Sequence, residues 1–258
     1  MKVNVSMEYI VFLILAPISF AITYVTILVT WKYRKELLGR ILIIYFLSIQ
    51  LHLVSNVLEL ISKQEQMMLF WTKVQISVYG LIPVYWLAFA LVFSNNRKTA
   101  KDLLSLWKVL LIPVASAVLV FLYPLTDVFY TGHRVLNNIG LSTLRTEYNY
   151  FFWVYGAHCY ILFIAGSFLT LRHLISTGIL FQKLSFFIMV GSLFPLIANL
   201  MYILPLPVFV QKDFTPIALA LSGLFFFIGI YWHRFLDIIP IARNIIVEEM
   251  DQGIIILD

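Results

Sequence analysis

Seven apolar runs, each close to the length needed to cross a bilayer, constrain this chain more than any other feature. They cover residues 9–31, 41–61, 69–93, 103–123, 150–174, 184–204 and 214–232. About 20 mainly apolar residues bridge the roughly 30 Å of hydrocarbon in a membrane. No water is present there to hydrogen-bond the backbone, so each run predicts an α-helix that satisfies its own N–H and C=O groups. The expected fold is an all-α membrane protein, a seven-transmembrane helix bundle. Composition agrees. The chain is 62% hydrophobic and 12% charged, with a mean hydropathy of +0.94, where soluble domains average about 45–50% and about 25%. The first run is longer than the apolar core of a cleavable signal and is followed at once by Lys32, Arg34 and Lys35. It therefore predicts a true span.

Orientation follows from the basic residues. Lys32, Arg34, Lys35, Arg40, Arg97, Lys98, Lys101, Lys108, Arg172, Lys183, Arg234 and Arg243 fall on one side of such a bundle. Lys2, Lys63, Lys73, Arg134, Arg145 and Lys212 fall on the other. Lys and Arg concentrate on the cytoplasmic face, which puts the N-terminus outside and the C-terminus in the cytoplasm, with localisation in the cell (inner or plasma) membrane as a multi-pass protein. The net charge of +5 reflects this bias and contact with anionic lipid heads, and no nucleic-acid partner is expected. The single cysteine, Cys159, lies in an apolar run and reads as a small buried residue.

Polar residues inside spans are costly and ask for partners. On the second run Ser48, His52, Asn56 and Glu59 recur at spacings that place them on one helical face. Glu59 and Lys73 stand near the outer ends of neighbouring spans and are placed to pair. Two readings stay open for this stripe: interhelical hydrogen bonds that set helix register, or the wall of a cavity open to the outside. Pro83 should kink the third span and free a carbonyl. His158 reads as a satisfied core histidine. Asn199 is expected to bond to a neighbouring helix, and Asp213 or Thr215 can cap the seventh helix, with Pro216 in its first turn. The candidate ligand-binding set is His52, Asn56, Glu59, Lys73, Tyr79, Tyr155, Asn199, Tyr202 and Asp213, and the ligand is an unknown small molecule. The longest connection, 124–149, has mixed charge and interspersed aromatics, which favours a folded external cap.

No phosphate-cradling glycine loop, nucleophile elbow or metal-spaced Cys/His cluster occurs in the sequence. No catalytic residue, metal or cofactor is expected, and no enzyme activity from these residues alone. The seventh run contains no internal lysine, which argues against a retinal Schiff base.

After the last span the sequence turns polar at His233-Arg234. Pro240 opens or kinks a helix in which Ile241, Ile245 and Met250, with Ala242 and Ile246, form an apolar stripe. Asp251-Gln252-Gly253 reads as a turn and 254–257 as a short strand without partners, expected to be exposed. The domain reading is 1–235 as the bundle, 236–250 as a cytoplasmic linker helix, and 251–258 as the start of a truncated domain.

Several features together carry a resemblance. Glu59 closes the second span and Pro83 lies in the third. Pro195-x-x-x-Asn199-x-x-Tyr202 marks the sixth, and Asp213-x-Thr215-Pro216 starts the seventh. The tail runs from Pro240-x-Ala242-Arg243 to Glu249-Met250-Asp251-Gln252-Gly253. In these the chain resembles the N-terminal seven-transmembrane region of bacterial and archaeal sensor histidine kinases over about residues 8 to 245, with a tail like the start of a PAS domain. The resemblance implies a sensory input domain of a two-component system. Its stimulus would pass through the seventh helix and the relay residues Arg234, Pro240, Arg243 and Glu249 to kinase-type output domains beyond Asp258. It also implies a homodimer through the C-terminal helix, with membrane lipids as further partners. Two other functions remain open on the sequence: the input domain of a diguanylate cyclase, and a small-solute transporter. A purely structural membrane anchor is a third.

Overall fold

The structure is a computed structural model that describes residues 4–94, 104–138, 141–176, 190–201 and 213–232. Apolar helices occur where the sequence places its seven runs. They are α1 (Asn4–Trp31), α2 (Leu37–Ile61), α3 (Glu65–Tyr79) continued by α4 (Leu81–Phe93), α5 (Leu111–Leu122) entered through a 3₁₀ segment (Leu104–Leu110), α6 (Tyr150–Ser176), α7 (Val190–Met201) and α8 (Thr215–Trp232). Among the described residues four are long and apolar enough to cross a membrane: Ile10–Trp31, Leu37–Ile61, the combined Glu65–Phe93, and Tyr150–His173. The segments Leu106–Leu122, Val190–Met201 and Thr215–Ile228 are shorter apolar helices.

The all-α expectation needs one correction. Residues Tyr130–Asn138 (β1) and Leu141–Tyr148 (β2) form an antiparallel hairpin with Asn138 opposite Leu141 and a register irregularity between Tyr130 and Gly132. The hairpin packs on the ends of α2, α3 and α6. The expected folded cap is therefore a β-structure. It forms because a connection that must cover helix ends has to satisfy its own backbone, and a hairpin does so locally.

α2 is the central helix, lying against α1, α3, α4 and α8. The chain reaches it from α1 through a tight turn in which Glu36 N donates to Tyr33 O (2.9 Å). Gly39 makes that turn possible, since a Cβ there would stand 2.1 Å from Tyr33 O. On α1 the sequence reading overlooked a buried Ser/Thr face. Thr23, Thr26 and Thr30 bond back to carbonyls one turn earlier, and Thr26 also donates to Gly223 O on α8 (3.2 Å). Small hydroxyl residues that satisfy themselves allow two helices to approach closely in lipid.

Two core regions hold the bundle. Away from the hairpin, Trp86 stacks on Phe89 (5.5 Å) and Phe163 (5.8 Å) and meets Phe226 edge-on (6.0 Å), with Tyr45 and Phe46 beside them. At the hairpin end, Phe129 and Tyr130 are fully buried against Val120, Tyr123, Tyr155 and Cys159. Ile10, Ile14, Ile18 and Leu28 on α1, and Ile161, Ile164 and Phe168 on α6, are exposed. Apolar stripes of this extent on outward faces are what lipid solvates and water does not.

The proline-containing helices show how interrupted backbone is repaired. The α3–α4 helix breaks at Gly80, three residues before Pro83, where Gly80 N reaches Ile76 O at only 3.4 Å. The Tyr155 hydroxyl donates to the same carbonyl at 2.6 Å. Pro113 on α5 has no N–H to give Val109 O, and His158 Nε2 lies 2.9 Å from that oxygen. A carbonyl only accepts, so Nε2 carries the proton. His158 is thereby the satisfied core histidine expected.

Candidate functional site: a buried carboxylate beneath the hairpin

The polar stripe of α2 runs into the hairpin. Glu59, 4% exposed, accepts at Oε1 from Leu144 N (2.8 Å) and Thr143 Oγ1 (2.7 Å), both on β2. Its Oε2 accepts from Gln75 Nε2 on α3 (3.3 Å). Gln75 Nε2 also lies 3.3 Å from Ser55 O, and Gln75 Oε1 accepts from Asn56 Nδ2 (3.1 Å). One turn further from the hairpin, the buried His52 ring lies 5.5 Å from the Tyr79 ring. Ser48 only bonds back to Ile44 O (2.9 Å) and is not part of this column. Hydrogen bonds to a charged acceptor are worth roughly 1.5–3 kcal/mol and cost more to leave unmade, so Glu59 fixes the position of the hairpin on the bundle. Among the described residues Asn56 Oδ1 and Tyr130 Oη are buried with no hydrogen-bond partner. Burial pushes the Tyr130 phenol well above its ordinary value.

The second group of expected residues lies deeper. Tyr79, Pro83, Cys159, Tyr160, Pro195, Asn199 and Thr215 line a cavity of about 30 Å³ between α3–α4, α6, α7 and α8. That space holds about two water molecules and is far below the several hundred Å³ of sites for larger ligands. Asn199 Oδ1 accepts from the Tyr160 hydroxyl, and Asn199 Nδ2 donates to Thr215 Oγ1 (3.2 Å), so Asn199 joins α6, α7 and α8. Asp213 Oδ1 accepts from Thr215 N (2.8 Å) at the start of α8, which makes it the capping residue.

The nine candidate residues thus divide. His52, Asn56 and Glu59 form the column under the hairpin. Tyr79 touches both the column and the cavity, and Asn199 lines the cavity. Tyr155 serves the break at Gly80, and Asp213 caps α8. Lys73 does not pair with Glu59. Its ammonium donates to Tyr123 O at 2.5 Å and lies 5.8 Å from the centre of the Tyr123 ring. The reason is geometric: β2 already supplies two donors to Glu59 Oε1, and Tyr123 at the end of α5 offers Lys73 a bare carbonyl. Tyr202 and the relay residues Arg234, Pro240, Arg243 and Glu249 lie outside the described residues, as do the linker helix and the strand at 254–257. Thr143 and Tyr160 were missed as partners because each meets the site through a contact distant in sequence. Among the described residues no group of three or more His, Cys, Asp or Glu side chains could hold a metal ion.

The fold and this site define a helical protein of membrane type whose buried polar column on α2 is covered by a β-hairpin. Residues 15–240 match the family model described as the N-terminal 7TM region of histidine kinase, and the chain belongs to that family. It is a sensor region of the histidine-kinase type. A search of the curated proteins finds no match to the chain.

Proposed function

We propose that this chain is the membrane-embedded input domain of a two-component sensor histidine kinase. Seven spans cross the cell membrane, with the N-terminus and the hairpin outside and the C-terminus in the cytoplasm, where the positive-inside bias puts it. A stimulus from outside or from the membrane acts on the hairpin end, through the column of His52, Asn56 and Glu59 and the cavity residues Tyr79 and Asn199. The response leaves through the seventh span and the segment of Arg234, Pro240, Arg243 and Glu249. Residues 236–250 serve as the linker and 251–258 begin a PAS-like domain. The linker helices pair in a homodimer whose output is kinase-type. The observation that carries this reading is the buried Glu59 carboxylate, bonded to the backbone of the cap and, through Gln75, to the polar face of α2. Any stimulus that moves the cap must break or remake those bonds, and a difference in bonding between two arrangements is what a ligand needs in order to shift a population. No observation here favours the cyclase-input or transporter alternatives.

The test uses the product of the complete reading frame, reconstituted in liposomes and supplied with ATP. Phosphohistidine formation whose rate changes on Glu59→Ala and Asn199→Ala is the expected result. Absence of phosphoryl transfer would remove the kinase assignment. Transfer indifferent to both substitutions would remove the proposed site.

A further inference from the structure

The turn between α1 and α2 gathers charge of one sign at the end of a membrane-spanning helix. Lys32, Arg34, Lys35 and Arg40 are all exposed there, against a single carboxylate, Glu36. Among the described residues none of the four cations makes an ion pair. The turn itself is closed by its own backbone. Tyr33 N donates to Thr30 O (2.8 Å), Arg34 N to Trp31 O (3.2 Å) and Glu36 N to Tyr33 O (2.9 Å). The Tyr33 ring is 8% exposed and packs into the core around Trp86. The cations therefore project from a backbone that is held in place.

Two of them are also steered by aromatic rings. The Arg34 guanidinium lies 5.7 Å from the centre of the Trp31 ring, and its Nη1 donates to Trp31 O (3.1 Å). The Lys32 ammonium lies 5.2 Å from the centre of the Tyr33 ring. A guanidinium carries five N–H groups, so the bond to Trp31 O leaves most of the Arg34 donors for an anion. Directly beside this charge, Phe20, Tyr24, Leu28 and Trp31 form an exposed strip along one face of α1, with the Phe20 and Tyr24 rings stacked at 6.4 Å. From Phe20 to Trp31 the helix rises about 16 Å, about half of the roughly 30 Å of hydrocarbon in a bilayer. The strip is thus one leaflet deep, and the exposed Trp31 ring sits where interfacial tryptophans sit. A soluble anion would use only the charged end of this surface. A phospholipid uses both parts.

We propose that the α1–α2 turn and the adjoining strip of α1 bind one anionic phospholipid. Arg34 takes the phosphodiester, since a guanidinium fork matches two phosphate oxygens, and Lys32 and Lys35 stand beside it as point charges. An acyl chain lies along Leu28 and Tyr24. A zwitterionic lipid offers the same phosphate but brings a cation of its own, which Lys32 and Lys35 repel, so the site selects by the net charge of the headgroup. Anionic lipids of the cytoplasmic leaflet attract basic segments that border a span, and this turn belongs to the more basic side of the bundle. The site needs only that α1 spans the membrane, whatever output the domain drives.

Quenching of tryptophan fluorescence by brominated lipid tests this on the full chain in vesicles. Brominated phosphatidylglycerol in plain phosphatidylcholine is compared with the reverse labelling, which gives the relative affinity of the two lipids for the surface beside Trp31. Phosphatidylglycerol should be preferred by roughly five-fold or more, the effect of a surface cation on an anionic lipid. Trp31→Phe should remove the selective part of the quenching, which assigns it to this turn and not to another tryptophan. Arg34→Gln with Lys35→Gln should abolish the preference. Arg134→Gln with Arg145→Gln removes as much charge from the hairpin, where the two face each other, and should leave the preference intact. Equal quenching by both lipids in the unsubstituted protein overturns the proposal without any variant. So does a preference that survives Arg34→Gln with Lys35→Gln, or one that the hairpin substitutions remove equally well. Displacement of the lipid by millimolar glycerol phosphate would make this a site for soluble phosphate and overturn the lipid assignment. A preference that emerges only on Glu248→Gln with Glu249→Gln would overturn it too, in favour of the chain's own acidic tail.

Discussion

Glu59 is a charged side chain placed where charge is expensive, and what makes it tolerable is a set of donors from two elements. Glu59→Ala would leave Leu144 N, the Thr143 hydroxyl and part of Gln75 without their acceptor. The expected cost is about 1.5–3 kcal/mol, read as a lower melting temperature in detergent, with exchange accelerated in the hairpin first. Glu59→Gln keeps an acceptor and should lose less. Trp86 and Gly166 form a second residue-scale constraint. The Trp86 Nε1–H is shared between Phe163 O and Ser167 Oγ, both at 3.2 Å, while a Cβ at Gly166 would stand 2.7 Å from Trp86 Cδ1. The ring is 1% exposed among Phe89, Phe163 and Phe226 and has nowhere to retreat. Gly166→Ala should therefore destabilise by about 1–3 kcal/mol, the range for overpacking a core, although alanine is the better helix former. A thermal melt of purified protein in detergent checks the sign.

At the scale of elements, helices in this bundle are completed by their neighbours. α5 contains Pro113, and the carbonyl this proline leaves without a donor is met by His158 from α6. His158→Phe keeps the ring volume and removes that donor, so the α5–α6 contact should weaken by about 1–3 kcal/mol, the cost of an unsatisfied buried acceptor. Faster exchange confined to residues 109–116 would show it, and unchanged exchange there would refute it. At the Gly80 break Tyr155 from α6 adds a second donor to Ile76 O, which already accepts a long bond from Gly80 N. Helix positions were legible from the sequence, because an apolar run in hydrocarbon has one way to satisfy its backbone. The hairpin was legible only as a folded cap. Its first strand, Tyr130-Thr131-Gly132-His133-Arg134-Val135, lacks clean alternation of polar and apolar residues, and the irregularity at Tyr130/Gly132 shifts the faces part-way along. Among partners, the α2 stripe could be read from helical spacing. Its bond to β2 could not, because Glu59 and Thr143 are 84 residues apart.

For the whole molecule, the exposed apolar faces of α1 and α6 and the buried aromatic cluster around Trp86 divide the bundle into an apolar exterior and a packed aromatic centre. The polar column of His52, Asn56 and Glu59 runs from that centre toward the hairpin, where Glu59 bonds to β2. Membrane residence, the order of the helices and the family were determined by the sequence alone. Each depends on local quantities: run length, hydropathy and the charges that flank a run. The pairing of Glu59 with the cap and the diversion of Lys73 to Tyr123 were decided only by tertiary structure. Several residues in each case could have made the contact, and which one does depends on where helix ends distant in sequence come to rest.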